Sequence, residues 1–232
     1  MRIQLTAVLV ALLLIAGCGS SEQAPAPVDA AQVLRQSGTA MASLKSAGAT
    51  LKFTKGKVSF QGFTLAGATA SVSLPRDSDT VYSVRDNDLA FSVEVVISGG
   101  RVFVKLPLST FQELTGAQAA EIPDLARLFD PASGLPAVIP AGHNLTYLRQ
   151  DTIDGVVTQV ISATYSPDQV HGMLSQLTSS GDIQAQIWVD VSDHLIRKAT
   201  LDGAFGDAGQ ESSVEVDIGG FNAAVTITSP SP

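Results

Sequence analysis

The fold is predicted from residues 91–106, which read Phe91-Ser92-Val93-Glu94-Val95-Val96-Ile97-Ser98-Gly99-Gly100-Arg101-Val102-Phe103-Val104-Lys105-Leu106. Apolar and polar side chains alternate through the first half of this stretch, which is the period of a half-buried β-strand. Gly99-Gly100 is typical of a two-residue hairpin turn, and a second apolar run returns from Val102. The stretch therefore predicts an antiparallel hairpin.

The chain before this hairpin is expected to form one helix and then further strands. Asp29 followed by Gln32 resembles a capping box, and apolar residues at helical spacing predict a helix over residues 30–46 that Gly48 closes. The residues that follow alternate with a period of two. Their alternation shifts by one residue at Gln61-Gly62, which predicts a bulge or bend there.

Residues 108–140 differ from both flanks, because short Pro-punctuated apolar pieces replace the alternation. We expect helices of one to three turns that lie on the sheet, since such short pieces are not stable alone. These pieces are Thr110–Leu114, Pro123–Phe129 and Leu135–Ile139.

The remainder of the chain is expected to return to strands. Asp154-Gly155 indicates another hairpin, and Ser166-Pro167 provides an N-cap and a proline at the first position of a second full helix. Asp77-Ser78-Asp79 is interpreted as a turn, and Val225–Ile227 as part of the final strands. About ten strands and two full helices that do not alternate with them predict an α+β fold.

The N-terminus predicts export and lipidation. Arg2 precedes an apolar run from Leu5 to Ala16 that has the length of a secretory signal, and Cys18 follows directly after small residues. This junction resembles a bacterial lipobox, which implies cleavage before Cys18 and a diacylglyceryl anchor on its sulfur. We therefore expect a signal peptide over residues 1–17, a lipidated flexible tether over 18–28 and a single domain over 29–232.

The composition argues against several classes of function. A formal net charge of −8 without a Lys/Arg cluster argues against nucleic acid as a partner. The single cysteine rules out an intramolecular disulfide, and the three widely spaced histidines do not suggest a metal site. No nucleophile elbow, phosphate-binding loop or dinucleotide motif is present. We expect no enzyme activity, no catalytic residue, no metal and no cofactor.

The order and spacing of several stretches resemble the LppX/LprA/LprF/LprG lipoproteins of mycobacteria. The resemblance covers essentially the whole mature chain. The matching stretches are Met41–Ala47, Gly100–Leu106, Leu128–Pro131, Asp154-Gly155, Ser166–Val170, Ile187–Asp190 and His194–Arg197. A departure occurs at residues 219–222, where relatives carry a Trp-containing turn.

The resemblance implies a curved antiparallel β half-barrel with helices on its concave face and an apolar cavity between them. It also implies a cell-envelope lipoprotein on the outer face of the plasma membrane that carries acylated lipids, glycolipid or triacylglycerol, towards the outer envelope. A lipid exporter in the membrane is a possible partner, and we expect a monomer. The candidate residues for the implied cavity lie on the apolar faces of the predicted strands and helices: Phe53, Phe60, Leu65, Tyr82, Val84, Phe91, Val93, Val95, Val104, Leu128, Phe129, Ile161, Met173, Leu177, Ile187 and Val189.

Three alternatives remain open from the sequence. The interior could be filled by side chains, with no cavity. The domain could be a tethered interaction or sensor module for a transporter or kinase, without lipid transfer. An envelope hydrolase is the third alternative, although no motif supports it.

Overall fold

The computed structural model describes residues 28–173 and 178–231, which form one antiparallel sheet with helices against it. The predicted signal peptide, Cys18 and Leu177 lie outside the described residues. The strands are β1 (Ser46–Lys55), β2 (Val58–Phe60), β3 (Phe63–Ser73), β4 (Asp77–Asp86), β5 (Leu89–Ser98), β6 (Arg101–Lys105), β7 (Gln112–Leu114), β8 (His143–Ile153), β9 (Val156–Tyr165), β10 (Ile183–Asp190), β11 (Ile196–Gly203) and β12 (Ser212–Gly219). The α-helices are α1 (Ala30–Ala42), α2 (Gly116–Ala120), α3 (Leu135–Val138) and α4 (Pro167–Met173), and 3-10 helices span Leu125–Phe129, Ile139–Ala141 and Asp207–Gly209.

The sheet is an open half-barrel rather than a closed barrel. Its strand order is β7-β6-β5-β4-β3-β1-β12-β11-β10-β9-β8, and β2 pairs with β3 off this path. The short strand β7 and the long strand β8 are the two edges. The predicted α+β class and the predicted hairpin at residues 91–106 are confirmed, and the described sheet has twelve strands instead of about ten.

Helix α1 begins where the sequence indicates and ends earlier. The Asp29 side chain accepts a hydrogen bond from the Gln32 backbone N–H at 3.1 Å, which caps the first turn. The predicted end at residue 46 is wrong, because Ser46 already pairs with Ser73 at the start of β1. Gly48 does not close the helix; it lies inside β1 opposite Gly219.

The predicted change of face at Gln61-Gly62 is a reversal of the chain. Both residues have positive φ values, 51° and 83°, which suit a tight hairpin turn. Phe60 therefore lies directly opposite Phe63, and the apolar pairs on the two sides of the turn share one face of the sheet. This hairpin also forms one wall of a surface pocket.

Three further predictions are wrong for tertiary reasons. Residues 77–79 belong to β4, where strands on both sides hold them extended. Residues 112–114 form the edge strand β7 rather than a short helix. Val225–Ile227 is not a strand, because β12 already pairs with β1 and β11; instead the Ser98 hydroxyl donates to the Ile227 carbonyl.

The second helix start is confirmed in detail. The Ser166 backbone N–H donates to the Gln169 side chain at 2.8 Å, and the Gln169 N–H donates back to the Ser166 hydroxyl at 3.4 Å. This reciprocal pair is a capping box. Within the described ranges, none of the helices has the length and apolar character needed to cross a bilayer.

Candidate functional site

The inner face of the sheet carries two separate apolar clusters, which differ in how they are covered. The first cluster, named the helix-covered cluster, lies on β1 and β8–β12, and α1 packs on it through Val33, Leu34 and Met41. The second, named the open-half cluster, lies on β2–β6. The segment between β7 and β8 contributes Ile122 to this second cluster.

The predicted cavity residues are divided between these clusters. The helix-covered cluster, with residues packed against it, contains Phe53, Leu128, Phe129, Ile161, Met173, Ile187 and Val189. The open-half cluster, with its packed neighbours, contains Phe60, Leu65, Tyr82, Val84, Phe91, Val93, Val95 and Val104. The two groups therefore face different surroundings, although sequence alternation assigned them to one set.

The helix-covered cluster is a packed core. Ile161 and Val189 are 0% exposed, and α1 fits closely against α3 and the turn after it. A Cβ atom on Gly38 would lie 2.6 Å from the Pro136 carbonyl oxygen, so only glycine permits this approach.

The open-half cluster is covered by a short segment rather than by a long helix. Val84, Val93 and Val95 are at most 4% exposed, Ile122 belongs to their cluster, and the 3-10 helix Leu125–Phe129 contacts β3 and β4. Further apolar side chains of the same cluster remain only partly buried, although they belong to the inward-facing rows of their strands. These partly buried residues are Phe63, Leu65, Phe91, Val102, Val104 and Leu114.

Aromatic rings line the side of the open-half cluster nearest the β2–β3 turn. The rings of Phe60 and Tyr82 are stacked, with centroids 4.3 Å apart. Phe63 meets Phe91 edge to face, with centroids 5.0 Å apart. Such pairs bury large apolar areas and fix ring orientation, so this wall is both apolar and preorganised.

A pocket of about 420 Å³ opens beside this aromatic wall. Its lining comes from the β2–β3 hairpin and from the residues that directly follow α2. The lining residues are Ser59, Phe60, Gln61, Gly62, Glu121 and Pro123. Ligand sites of small molecules range from roughly 300 to 1,000 Å³, so this pocket lies at the small end of that range.

The outer wall of the pocket is held by few contacts. Helix α2 buries none of its residues, and its N-cap Thr115 makes no side-chain capping bond. Across the mouth, the Gln61 amide donates to the Glu121 carboxylate at 3.5 Å, and both side chains are exposed. An element with so little buried surface opens at low free-energy cost.

One buried hydroxyl in this region has no partner. The Tyr82 hydroxyl makes no hydrogen bond within the described residues. Burial raises the pKa of this hydroxyl, and the nearby Asp124 carboxylate raises the pKa further. Burial also raises the pKa of Asp124, although a hydrogen bond from the Ala126 backbone N–H acts in the opposite direction. Tyr82 is therefore a protonated donor at neutral pH.

Sequence reasoning missed most of the pocket lining. Ser59, Gln61 and Glu121 are polar surface residues with nothing in their types to mark a site. The shift of alternation at Gln61-Gly62 was the available signal, because it located the turn that forms one wall. Ile122, which covers the open-half cluster, lies in a segment whose contacts could not be read from its pattern.

Comparison with known proteins places the chain in a family. The model of the LppX_LprAFG lipoproteins matches residues 29–227. The lipoarabinomannan carrier protein LprG of Mycobacteroides abscessus is 23% identical over 231 residues, covering 99% of this chain and 97% of its own. The protein of that name in Mycobacterium tuberculosis H37Rv is 26% identical over 230 residues, covering 97% of this chain and 93% of its own.

Two solved structures share the fold. LprF from Mycobacterium bovis superimposes with a TM-score of 0.70 and 19% identity, covering 88% of this chain and 97% of its own. LppX from Mycobacterium tuberculosis gives a TM-score of 0.63 and 21% identity, covering 86% and 98%. With a family model that spans almost all the described residues and the same open half-barrel in both structures, this chain belongs to the LppX_LprAFG lipoprotein family.

Proposed function

We propose that this protein is a cell-envelope lipoprotein, anchored to the outer face of the plasma membrane through Cys18, that binds acylated lipids and carries them towards the outer envelope. The ligand is a glycolipid or triacylglycerol whose acyl chains lie against the inner face of β3–β6. The curated relatives are named as carriers of lipoarabinomannan, which supports a lipid as the ligand. An exporter that loads the lipid, and a monomeric state, stay predictions.

The observation that carries the proposal is the contrast between the two halves of one sheet. Helix α1 packs on the half built from β8–β12. Over the half built from β3–β6, the described residues place only the short segment that contains Ile122 and the 3-10 helix Leu125–Phe129, and the pocket opens at its edge. A pocket beside an apolar face that no long helix covers is a candidate ligand site.

The size of the pocket requires its outer wall to move. A volume of about 420 Å³ is at the small end for a ligand site and does not suit a lipid with several acyl chains. The segment from Thr115 to Pro123 includes α2, which buries none of its residues. In the proposed mechanism this segment swings away from the β2–β3 hairpin, breaks the contact between Gln61 and Glu121 and exposes the open-half cluster to the lipid.

The free energy of lipid transfer favours reversible binding, as in a carrier, over very tight binding. Transfer of about thirty methylene groups from water would release roughly 24 kcal/mol. That exceeds the limit of about 18–21 kcal/mol for noncovalent complexes. Water is not the starting point, because the acyl chains leave the apolar interior of a bilayer and move onto the apolar side chains of the open-half cluster. The net free energy of transfer is therefore small, and the lipid can be both taken up and released.

The proposal is tested by introducing a bulky tryptophan on the inward face of each half of the sheet in turn. Leu65 belongs to the open half and Leu201 to the helix-covered half, and both are partly buried on the inward face. We expect Leu65→Trp to lower the amount of bound lipid several-fold, because the indole occupies the space of the acyl chains. Lipid is counted by native mass spectrometry after reconstitution with a diacylated glycolipid.

Leu201→Trp is the matched control and should retain the lipid content of the parent protein. Circular dichroism and urea unfolding verify that both variants fold. Equal loss in both variants would show that the substitution acts through stability, and unchanged lipid in Leu65→Trp would contradict a site on β3–β6.

A further inference from the structure

Three leucines stand out on the surface of the described chain. Leu108, Leu89 and Leu106 are 108%, 68% and 48% exposed, and these values are the highest among the large apolar residues that the structure describes. Single exposed apolar residues are common on folded proteins and need no explanation. An explanation is required because the three most exposed all lie towards the same end of the sheet.

The strand register directs all three towards the same end of the open half. Leu89 begins β5 opposite Asp86, where β4 ends. β6 runs towards this end and stops at Lys105, which lies opposite Glu94, five residues along β5 from Leu89; Leu106 and Leu108 continue from there. β3 also begins beside Leu89, since Thr64 pairs with Arg85. The β2–β3 turn, which lines the pocket, therefore lies on the Leu89 side.

The loop after β6 is built to present its leucines. The Ser109 hydroxyl donates to the Leu106 carbonyl at 2.9 Å and accepts from the Leu106 backbone N–H at 3.1 Å, which closes a tight turn. Leu108 at the tip has a φ of +62°, a left-handed conformation that is unusual for a bulky side chain. The domain keeps a strained, fully exposed leucine, which suggests that the side chain acts outside the folded domain.

We infer that Leu89, Leu106 and Leu108 form a rim that inserts into the surface of a lipid bilayer and sets the pocket mouth against it. This inference rests on the proposed function. A bilayer is the fitting partner because a lipid that enters the pocket has to leave one at this end of the sheet. The nine residues between Cys18 and Val28 also allow a span of at most about 35 Å, so an anchored domain stays near its membrane.

Charges of both signs flank the rim. Asp86 and Asp88 lie at the β4–β5 turn and are exposed, and the cations Arg85 and Lys105 lie beside them, Lys105 paired with Glu94 at 3.2 Å. Insertion is therefore driven by apolar contact rather than by attraction to anionic headgroups. Binding should differ little between zwitterionic and anionic lipid, and it should change little with salt, because screening acts on charges only.

The test uses residues 19–232, which lack the acyl anchor and keep every contact described above. The protein is floated with vesicles of pure phosphatidylcholine. The rim variant carries Leu89→Ser, Leu106→Ser and Leu108→Ser. The control variant carries Leu148→Ser, Val157→Ser and Val191→Ser, which remove three exposed apolar side chains from other parts of the surface.

We expect the vesicle partition coefficient of the rim variant to fall about tenfold or more. A tenfold change corresponds to about 1.4 kcal/mol, which is less than the free energy gained by burying one leucine side chain. The control variant should stay within about twofold of the parent, and so should the parent between low and high salt. The inference is overturned if the rim variant and the parent partition equally, or if the control variant loses as much binding as the rim variant. It is also overturned if binding needs anionic lipid and disappears at high salt.

Lipid content separates this inference from the proposed function. A short-chain diacyl lipid, supplied as monomers, reaches the pocket without a bilayer. If the parent takes up this lipid but does not bind vesicles, the rim is wrong and the lipid site stands. If the parent binds vesicles through the rim but takes up no lipid, the lipid site is wrong and the rim stands.

Discussion

The rings of Phe60 and Tyr82 lie face to face with centroids 4.3 Å apart, and this stack joins the pocket to the buried interior of the open half. Phe60 lines the pocket, whereas Tyr82 is 3% exposed beneath it. The Tyr82 hydroxyl, at the far end of the ring, has no hydrogen-bond partner among the described residues. The two rings therefore stabilise each other, whereas the Tyr82 hydroxyl lacks a hydrogen bond within the described residues.

Removal of the Tyr82 hydroxyl should stabilise the lipid-free protein. A buried donor without a partner costs about 1–3 kcal/mol, so we expect Tyr82→Phe to raise the free energy of unfolding by about 1 kcal/mol. Tyr165 is the matched control, because its buried hydroxyl donates to the Ile139 carbonyl at 3.0 Å. Tyr165→Phe should lower the free energy of unfolding by about 1 kcal/mol. Urea unfolding measures both, and two changes of the same sign would refute the prediction.

Glycine substitutions should act in opposite directions in two helices. Gly38→Ala in α1 puts a methyl group 2.6 Å from the Pro136 carbonyl oxygen and 2.7 Å from the Pro140 ring, and we expect a loss of about 1–3 kcal/mol. Gly172 in α4 has no atom of the described residues within 4 Å of the position that an added methyl group would take, so Gly172→Ala should add roughly 0.5–1 kcal/mol through helix propensity. Thermal unfolding of the two variants checks this, and a neutral Gly38→Ala would mean that α1 is not held closely against α3.

Acid should destabilise the domain partly through Asp190. Burial acts to raise its pKa, but hydrogen bonds from Ser192 and from Arg197 outweigh this effect and hold the pKa at about 2. Because the folded pKa lies below the ordinary value of 3.8, the stabilisation is complete above pH 4 and is lost as the pH falls through about 2.

Asp190→Asn should reduce this acid sensitivity. We expect the variant to be less stable than the parent at pH 6 and to lose less of its unfolding free energy between pH 4 and pH 2. Urea titrations at intervals across this range measure the difference. Asp217→Asn serves as the control, because Asp217 is an exposed carboxylate on β12 with no side-chain hydrogen bond to any described residue. Parallel pH curves for the parent and Asp190→Asn would contradict the role of the Arg197 pair.

Anchorage of the C-terminal segment should contribute to stability. The Asn222 side chain accepts from the Lys45 backbone N–H at 2.8 Å, and Asn222 itself has a φ of +57°. Asn222→Ala removes the hydrogen-bond acceptor and puts an alanine at a positive φ, where it is strained. We expect the free energy of unfolding to fall by about 1–2 kcal/mol. Asn222→Asp keeps an acceptor oxygen and should lose less. An unchanged unfolding midpoint for Asn222→Ala would show that the segment contributes nothing at this point.

The local signals that were strong in the sequence are those that the structure reproduces. Alternation and Gly99-Gly100 gave the central hairpin, and Ser166 with Gln169 gave the start of α4. Both depend on contacts between residues close in sequence. The sequence therefore predicted most elements of the fold, including the shortage of long helices relative to strands.

The failures involve contacts between distant residues. Asp77, Ser78 and Asp79 have the composition of a turn, but pairing with β3 on one side and β5 on the other holds them in a central strand. The end of α1 depends on Ser46 pairing with Ser73, which no local pattern reveals. For the same reason alternation gave the inward face of each strand but not which half of that face α1 covers, and so it could not locate the pocket.

Native mass spectrometry of the full protein, purified from its own host without added lipid, tests the central claim most directly. The proposed function predicts a noncovalent acylated lipid that leaves on denaturation, in addition to a covalent acyl mass that stays on Cys18. Loss of the noncovalent species in Leu65→Trp, but not in Leu201→Trp, would assign it to the open half. A parent protein that carries no noncovalent lipid, and takes none up from vesicles, would contradict a lipid carrier.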